Sequence, residues 1–195
     1  MSTNKQWEAF LTPEITHERL ITSSLFITAF ELLKESIVGR IKDFYSNSLI
    51  PDNDDLSVEY QERVLSKSKS PVYASLAWLK ESEAIDSSDI ESFERLKKIR
   101  NELAHELPNI VLGEKELSLK AHLEEALNLL IKIEVWWVVN FELAINPEFD
   151  DKEIDEGEIV AGPVLMMQIM LEVISGNRDL LEHYRQGSPK KGPPP

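Results

Sequence analysis

Arg100, Asn101 and His105 fall within six residues, Arg100-Asn101-Glu102-Leu103-Ala104-His105, and their types suit chemistry at a phosphodiester. Cleaving RNA without a metal needs three groups. A base takes the proton of the 2′-hydroxyl, a cation holds the phosphate as charge builds on it, and an acid protonates the departing oxygen. Histidine serves as base or acid because its pKa lies near neutrality. Arginine serves as the cation because its planar fork binds phosphate through two donors and stays charged. Asparagine orients either group or the substrate. Arg100, Asn101 and His105 are therefore the candidate catalytic residues.

Asn101 and His105 are four apart and share a helix face. Arg100 and His105 are five apart, about 140° on an ideal helix. The long arginine side chain shortens that gap, and a second copy of the chain can supply a second set. Arg95, Lys97 and Lys98 precede the motif and are the candidate RNA-binding residues, with Arg63, Lys67 and Lys69 further upstream. A plainer reading stands beside this one. Such a run is a solvated helix face. A histidine in the last helical turn bonds free carbonyls and suits the helix dipole. Arg100 then pairs with Glu94, Glu102 or another carboxylate.

The elements that position these residues read as helices. Thr12-Pro13 offers a hydroxyl N-cap and a proline at the first helical position. Leu20, Ile27, Phe30, Leu33, Ile37, Ile41 and Phe44 then mark one face of a helix over 12–47. Residues 51–55 form a loop. A short helix is expected over 56–68, with Val58, Val64 and Leu65 as apolar contacts. Ser70-Pro71 starts another, carrying Val72, Leu76 and Leu79 to about residue 84. Ser87, Ser88 and Asp89 precede the motif helix, which carries Ile90, Phe93, Leu96, Ile99 and Leu103. Pro108 should end it near Glu106, because the residue before a proline avoids helical geometry. A connector over 109–115 and a long helix over 118–146 follow. Past Ile133 that helix is apolar nearly all round, and neighbours on a helix point about 100° apart, so Trp136 and Trp137 should face different surroundings. Residues 164–174 read as a further helix with Leu165, Met166, Ile169, Met170 and Val173, its methionines filling the core. No strand pattern or repeat is visible. The expected architecture is an all-α, antiparallel (up-and-down) helical bundle with an additional C-terminal helix. It divides into an N-terminal extension (1–11), the bundle (12–146), an acidic loop (147–158), a C-terminal helical segment (159–186) and a disordered tail (187–195).

Composition narrows the function classes. The 195 residues suffice for one domain with a sizeable core. There is no cysteine, which excludes thiolate chemistry and fits a cytoplasmic location. The N-terminus lacks an apolar signal core, and Lys132, Glu134, Asn140 and Glu142 interrupt the most apolar run, which argues against a membrane span. The net charge of −14 disfavours broad binding to long nucleic acid, which rests on many cationic contacts. Seven carboxylates crowd into 148–158, and an acidic inhibitor that mimics nucleic acid is a third, weaker reading. His17, His122 and His183 have no partner at a convincing metal-ligand spacing. There is neither a glycine-rich phosphate loop nor a serine nucleophile motif. No metal and no cofactor is expected.

The hexapeptide from Arg100 to His105 resembles the signature of the HEPN superfamily (higher eukaryotes and prokaryotes nucleotide-binding domain). That signature is an arginine, a polar residue that is often asparagine, and a histidine a few residues on. The helical bundle and the long helix after the motif match it too, over residues 12–146. The resemblance implies a metal-independent endoribonuclease acting as a homodimer, with two motifs meeting in a cleft. Arg100 and His105 would carry catalysis, supported by Asn101. Such proteins serve in toxin–antitoxin systems and phage defence, so the resemblance implies RNA and an antitoxin or other protein as partners. Other members have lost activity and act as dimeric interaction modules, which is the competing expectation.

Overall fold

Proline at its first turn and an uninterrupted apolar stripe give the chain its longest helix. In a computed structural model, which describes residues 3–46, 57–149 and 154–187, this is α2 (Pro13–Tyr45), preceded by α1 (Thr3–Leu11). Thr12 occupies the N-cap position, but its hydroxyl donates to the Glu8 carbonyl at 2.8 Å, so the expected side-chain cap is not made. The extension expected over 1–11 is therefore helical where it is described, and it ties back into α2. The loop expected at 51–55 lies outside the described residues.

α3 (Val58–Arg63) is short and capped by Ser57, whose hydroxyl accepts from the Tyr60 N–H at 3.1 Å. A 3-10 turn, Leu65–Lys67, follows it. Val58, expected to be a core contact, is 69% exposed. Val64 is buried as expected, and Tyr60 is buried in place of Val58. α4 (Pro71–Glu81) buries Leu76 and Leu79. α5 (Ser87–Leu112) begins at a reciprocal capping box: Asp86 accepts from the Ser88 and Asp89 N–H groups, and Asp89 accepts from the Asp86 N–H.

α5 does not stop near Glu106. It runs through Pro108 to Leu112 and ends at Gly113, whose φ of 79° is the left-handed geometry that glycine adopts freely. The Gly113 N–H donates to Ile110 and the Glu114 N–H to Asn109, the paired closure of a Schellman end. Arg19 Nη1 adds a bond to the Val111 carbonyl at 2.8 Å. An interior proline costs about 3 kcal/mol. Burying Ile110 and Val111 beyond it returns roughly 1.5–3 kcal/mol each, which is enough to carry the helix on.

α6 (Leu119–Trp137) gives way to a π-helical stretch, Val138–Leu143. Trp136 and Trp137 both reach Trp78 of α4, at ring-centroid distances of 6.0 and 5.8 Å, and both contact Phe141. Trp137 is buried in the core and Trp136 is half-buried beside a cavity that Trp137 does not line, so their surroundings differ as expected even though both converge on Trp78 and Phe141. α4 lies across the seam between them, and the wider π winding brings Phe141 to the same side. α7 (Gly162–Ile174) rests Val164 and Met167 on the core, while Leu165, Met166, Ile169 and Val173 are exposed, so the expected core face is off by a residue or two. α8 (Asp179–Gly187) follows, and the expected tail beyond residue 187 lies outside the described residues.

Cross-helix ion pairs and hydrogen bonds fix the directions of the main helices. Arg100 of α5 meets Glu31 of α2 while Arg19 meets Val111, so α2 and α5 are antiparallel. Arg95 meets Glu125 and Lys132 meets Asp86, so α5 and α6 are antiparallel as well. Glu18, Ser36 and Arg40 meet Lys120, Glu134 and Glu142 in rising order, which makes α2 and α6 parallel neighbours. The fold is an all-α bundle with no strand among the described residues. No helix among them is long and apolar enough to cross a membrane.

Candidate functional site

α5 faces the core through Phe93, Leu96, Leu103 and Ile110, all buried, at spacings of three and seven. Every other residue of the motif takes its place from that stripe. Arg100 sits four residues after Leu96 and three before Leu103, on the flank toward α2, and is half-buried. His105 is two residues after Leu103, about 160° away around an ideal helix, and is exposed. Asn101 is exposed on the same side as His105. One chain therefore joins Asn101 to His105 on its exposed face but turns Arg100 away from His105.

Arg100 donates Nε at 3.2 Å and Nη2 at 2.7 Å to one oxygen, Oε1, of Glu31. Lys34 stands 3.6 Å from the other oxygen. The arginine does pair with a carboxylate, but neither of the two named from sequence: Glu102 instead bonds Lys115 at 2.7 Å. Arg100 keeps 37% of its side chain exposed, and among the described residues its Nη1 has no hydrogen-bond partner. Nor, among the described residues, has any side-chain atom of Asn101 or His105. His105 is not in the last turn, because α5 continues to Leu112, so the plain reading of it as a carbonyl cap of the helix end no longer applies.

The basic run is largely engaged. Arg95 bonds Glu125 at 2.6 Å and Ser92 at 2.7 Å. Lys97 donates to the Tyr73 hydroxyl at 2.7 Å and lies 4.6 Å from that ring's centre. Its hydrogen bond to Tyr73 raises its pKa, with burial opposing and the nearby Glu94 adding to the rise. Lys98 is exposed and, among the described residues, unpaired. Of the three candidate RNA-binding residues, only Lys98 has neither a hydrogen bond nor an ion pair among the described residues.

A cavity of about 160 Å³ opens between α2 and α5, with Glu31, Lys34, Lys97, Arg100 and Asn101 on its walls. Glu31 and Lys34 were not singled out from the sequence. A partner 69 residues away leaves no local spacing signal. A larger cavity of about 710 Å³ lies at the α5–α6 connector. Its cations are spent on neighbours: Arg19 on the Val111 carbonyl, Lys115 on Glu102 and Lys120 on Glu18. His17 and His183 are exposed and His122 is half-buried. Among the described residues no group of three or more acidic or histidine side chains is placed to hold a metal ion. The chain matches no protein-family model, no curated protein and no solved structure.

Proposed function

We propose that this chain is a HEPN-type endoribonuclease that cleaves RNA without a metal, of the kind that serves as a toxin or phage-defence effector, with its site completed by a second copy. The observation that carries this reading is the open pair Asn101 and His105, one turn apart on the exposed face of α5 and committed to nothing else among the described residues. A histidine free of partners can exchange protons with substrate. Arg100 supplies the phosphate-holding cation through the donor edge that Glu31 leaves free.

In the reaction, one His105 removes the 2′-hydroxyl proton and the 2′-oxygen attacks phosphorus. The 5′-oxygen leaves with a proton from an acid, giving a 2′,3′-cyclic phosphate and a free 5′-hydroxyl. Because Arg100 and His105 diverge within one chain, Arg100 of one copy and His105 of its partner work on the same phosphate. The HEPN resemblance, which implies a homodimer, supports that arrangement. Purified chain incubated with single-stranded RNA and a chelator should give cyclic-phosphate ends, and His105→Ala should reduce the rate by at least about 10²-fold, the low end of a general-base contribution. Undiminished cleavage by that variant would remove His105 from the mechanism.

The Arg100–Glu31 pair favours a second reading, a HEPN-like interaction module in which the arginine is structural. That module would associate stably and leave every RNA tested intact.

A further inference from the structure

We propose that the cavity between α2 and α5 is a seat for a phosphate group of single-stranded RNA, with Lys34 and Arg100 as its principal cations. The choice of RNA as ligand rests on the ribonuclease reading; the seat itself rests on charge and shape. Three cations line the cavity, Lys34, Lys97 and Arg100, against one carboxylate, Glu31, which leaves a formal charge of +2 (three minus one) in a chain of −14. Glu31 is shared, one oxygen taken by Arg100 and the other facing Lys34. A single carboxylate neutralises one charge, so the second cation stays uncompensated. Lys97 hydrogen-bonds a neutral phenol, with Glu94 of its own helix acting on it only through space.

The floor strengthens this field. Phe30 and Phe93 stack there at 5.7 Å between ring centres, both buried, and an apolar floor weakens screening by water. At about 160 Å³ the cavity is smaller than the roughly 300–1,000 Å³ of pockets that enclose whole ligands. It suits a phosphoryl group whose nucleoside stays outside. Glu31 acts here as a positioning residue. By binding Nε and Nη2 of Arg100 it fixes the guanidinium plane and leaves Nη1 for the phosphate. The same carboxylate also repels that phosphate, so it tempers affinity.

The test uses the full chain carrying His105→Ala, so that RNA is bound and not cut. Anisotropy of a labelled single-stranded RNA is followed over a salt series for this background and for added Lys34→Gln or Glu31→Gln. Both side chains are half-exposed, and thermal melts confirm that each variant folds. Lys34→Gln should weaken binding roughly fivefold and lower the slope of log K against log salt by about 0.7, the signature of one lost phosphate contact on a single strand. Glu31→Gln should tighten binding. If RNA binds and neither variant changes affinity or slope, the seat is overturned while the ribonuclease reading stands. If RNA is neither bound nor cut by the wild-type chain, the ribonuclease reading fails. Inorganic pyrophosphate, followed through the amide signals of Arg100 and Asn101, then decides the seat alone. Shifts that Lys34→Gln removes keep it, and unmoved signals end it.

Discussion

Glu134 carries a charge into the core. It is fully buried on α6, accepts from the Ser36 hydroxyl at 2.6 Å and from Arg40 Nη2 at 2.5 Å, and Arg40 also reaches Glu142 at 2.8 Å. A carboxylate held in the core this way depends on its partner, because burial without one leaves its charge uncompensated. Arg40→Met should therefore cost about 3–5 kcal/mol. Adding Glu134→Leu to that variant should restore most of the loss, since an apolar pair of similar volume is often neutral. Urea denaturation of the two single variants and the double variant measures this; additive losses would show that Glu134 and Arg40 are not coupled. Asp86 offers a pH signature instead. The Ser88 hydroxyl, then the Asp89 N–H, Lys132 and the Ser88 N–H hold its carboxyl well below the usual carboxylate range. A folded pKa below the unfolded value of about 3.9 means stability that is fully present above that value and lost as pH falls through the folded one. Asp86→Ala should thus lower the urea midpoint at neutral pH, and the gap to wild type should narrow steadily below about pH 4. A gap that stays constant into acid would show that the charge of Asp86 contributes nothing.

At the scale of elements, α5 decides where the motif stands, and Pro108 is the informative break in its pattern. Ala104, whose carbonyl loses its helical partner at Pro108, is exposed, as is Pro108, so water can serve that carbonyl. Pro108→Ala would restore the bond and remove the ring's clash, and should stabilise the fold by up to about 3 kcal/mol. A melting temperature that does not rise would mean the ring itself packs usefully. Helix starts at Pro13 and Pro71 were legible because a proline at the first helical position is a local signal, although neither Thr12 nor Ser70 makes the side-chain cap, and the cap at Asp86 was not singled out. The end of α5 was not legible, because it is set by Ile110, Val111 and the Arg19 bond, which belong to tertiary packing. Trp136 and Trp137 repeat the lesson: their convergence on Trp78 depends on where α4 crosses α6, and no periodicity records that. For the site, the shared face of Asn101 and His105 followed from spacing alone. Glu31 and Lys34 did not, since only the antiparallel packing of α2 on α5 brings them beside Arg100.

For the whole molecule, the question is how a chain of net charge −14 could gather an active site for a polyanion. Two copies repel each other and both repel RNA, unless the contact falls where cations face outward. α5 offers such a place in Lys98, two turns before His105 on the same exposed face, and a second in the free edge of Arg100 on the flank toward α2. The geometry of one chain makes the consequence testable. If Arg100 of one copy serves His105 of the other, the defects of Arg100→Ala and His105→Ala are complementary. In a mixed dimer, one site lacks both groups and the other keeps both. Random pairing makes roughly half of the dimers mixed, each with one intact site in two, so an equal mixture of the inactive variants should recover about a quarter of wild-type activity per chain. A site built within one chain gives a different result: each variant stays dead in every pairing, and the mixture is as inactive as its parts. Recovery should also require exchange of subunits, appearing after mixing at the rate at which dimers dissociate and re-form, and it should be lost when each variant is cross-linked to its own kind beforehand.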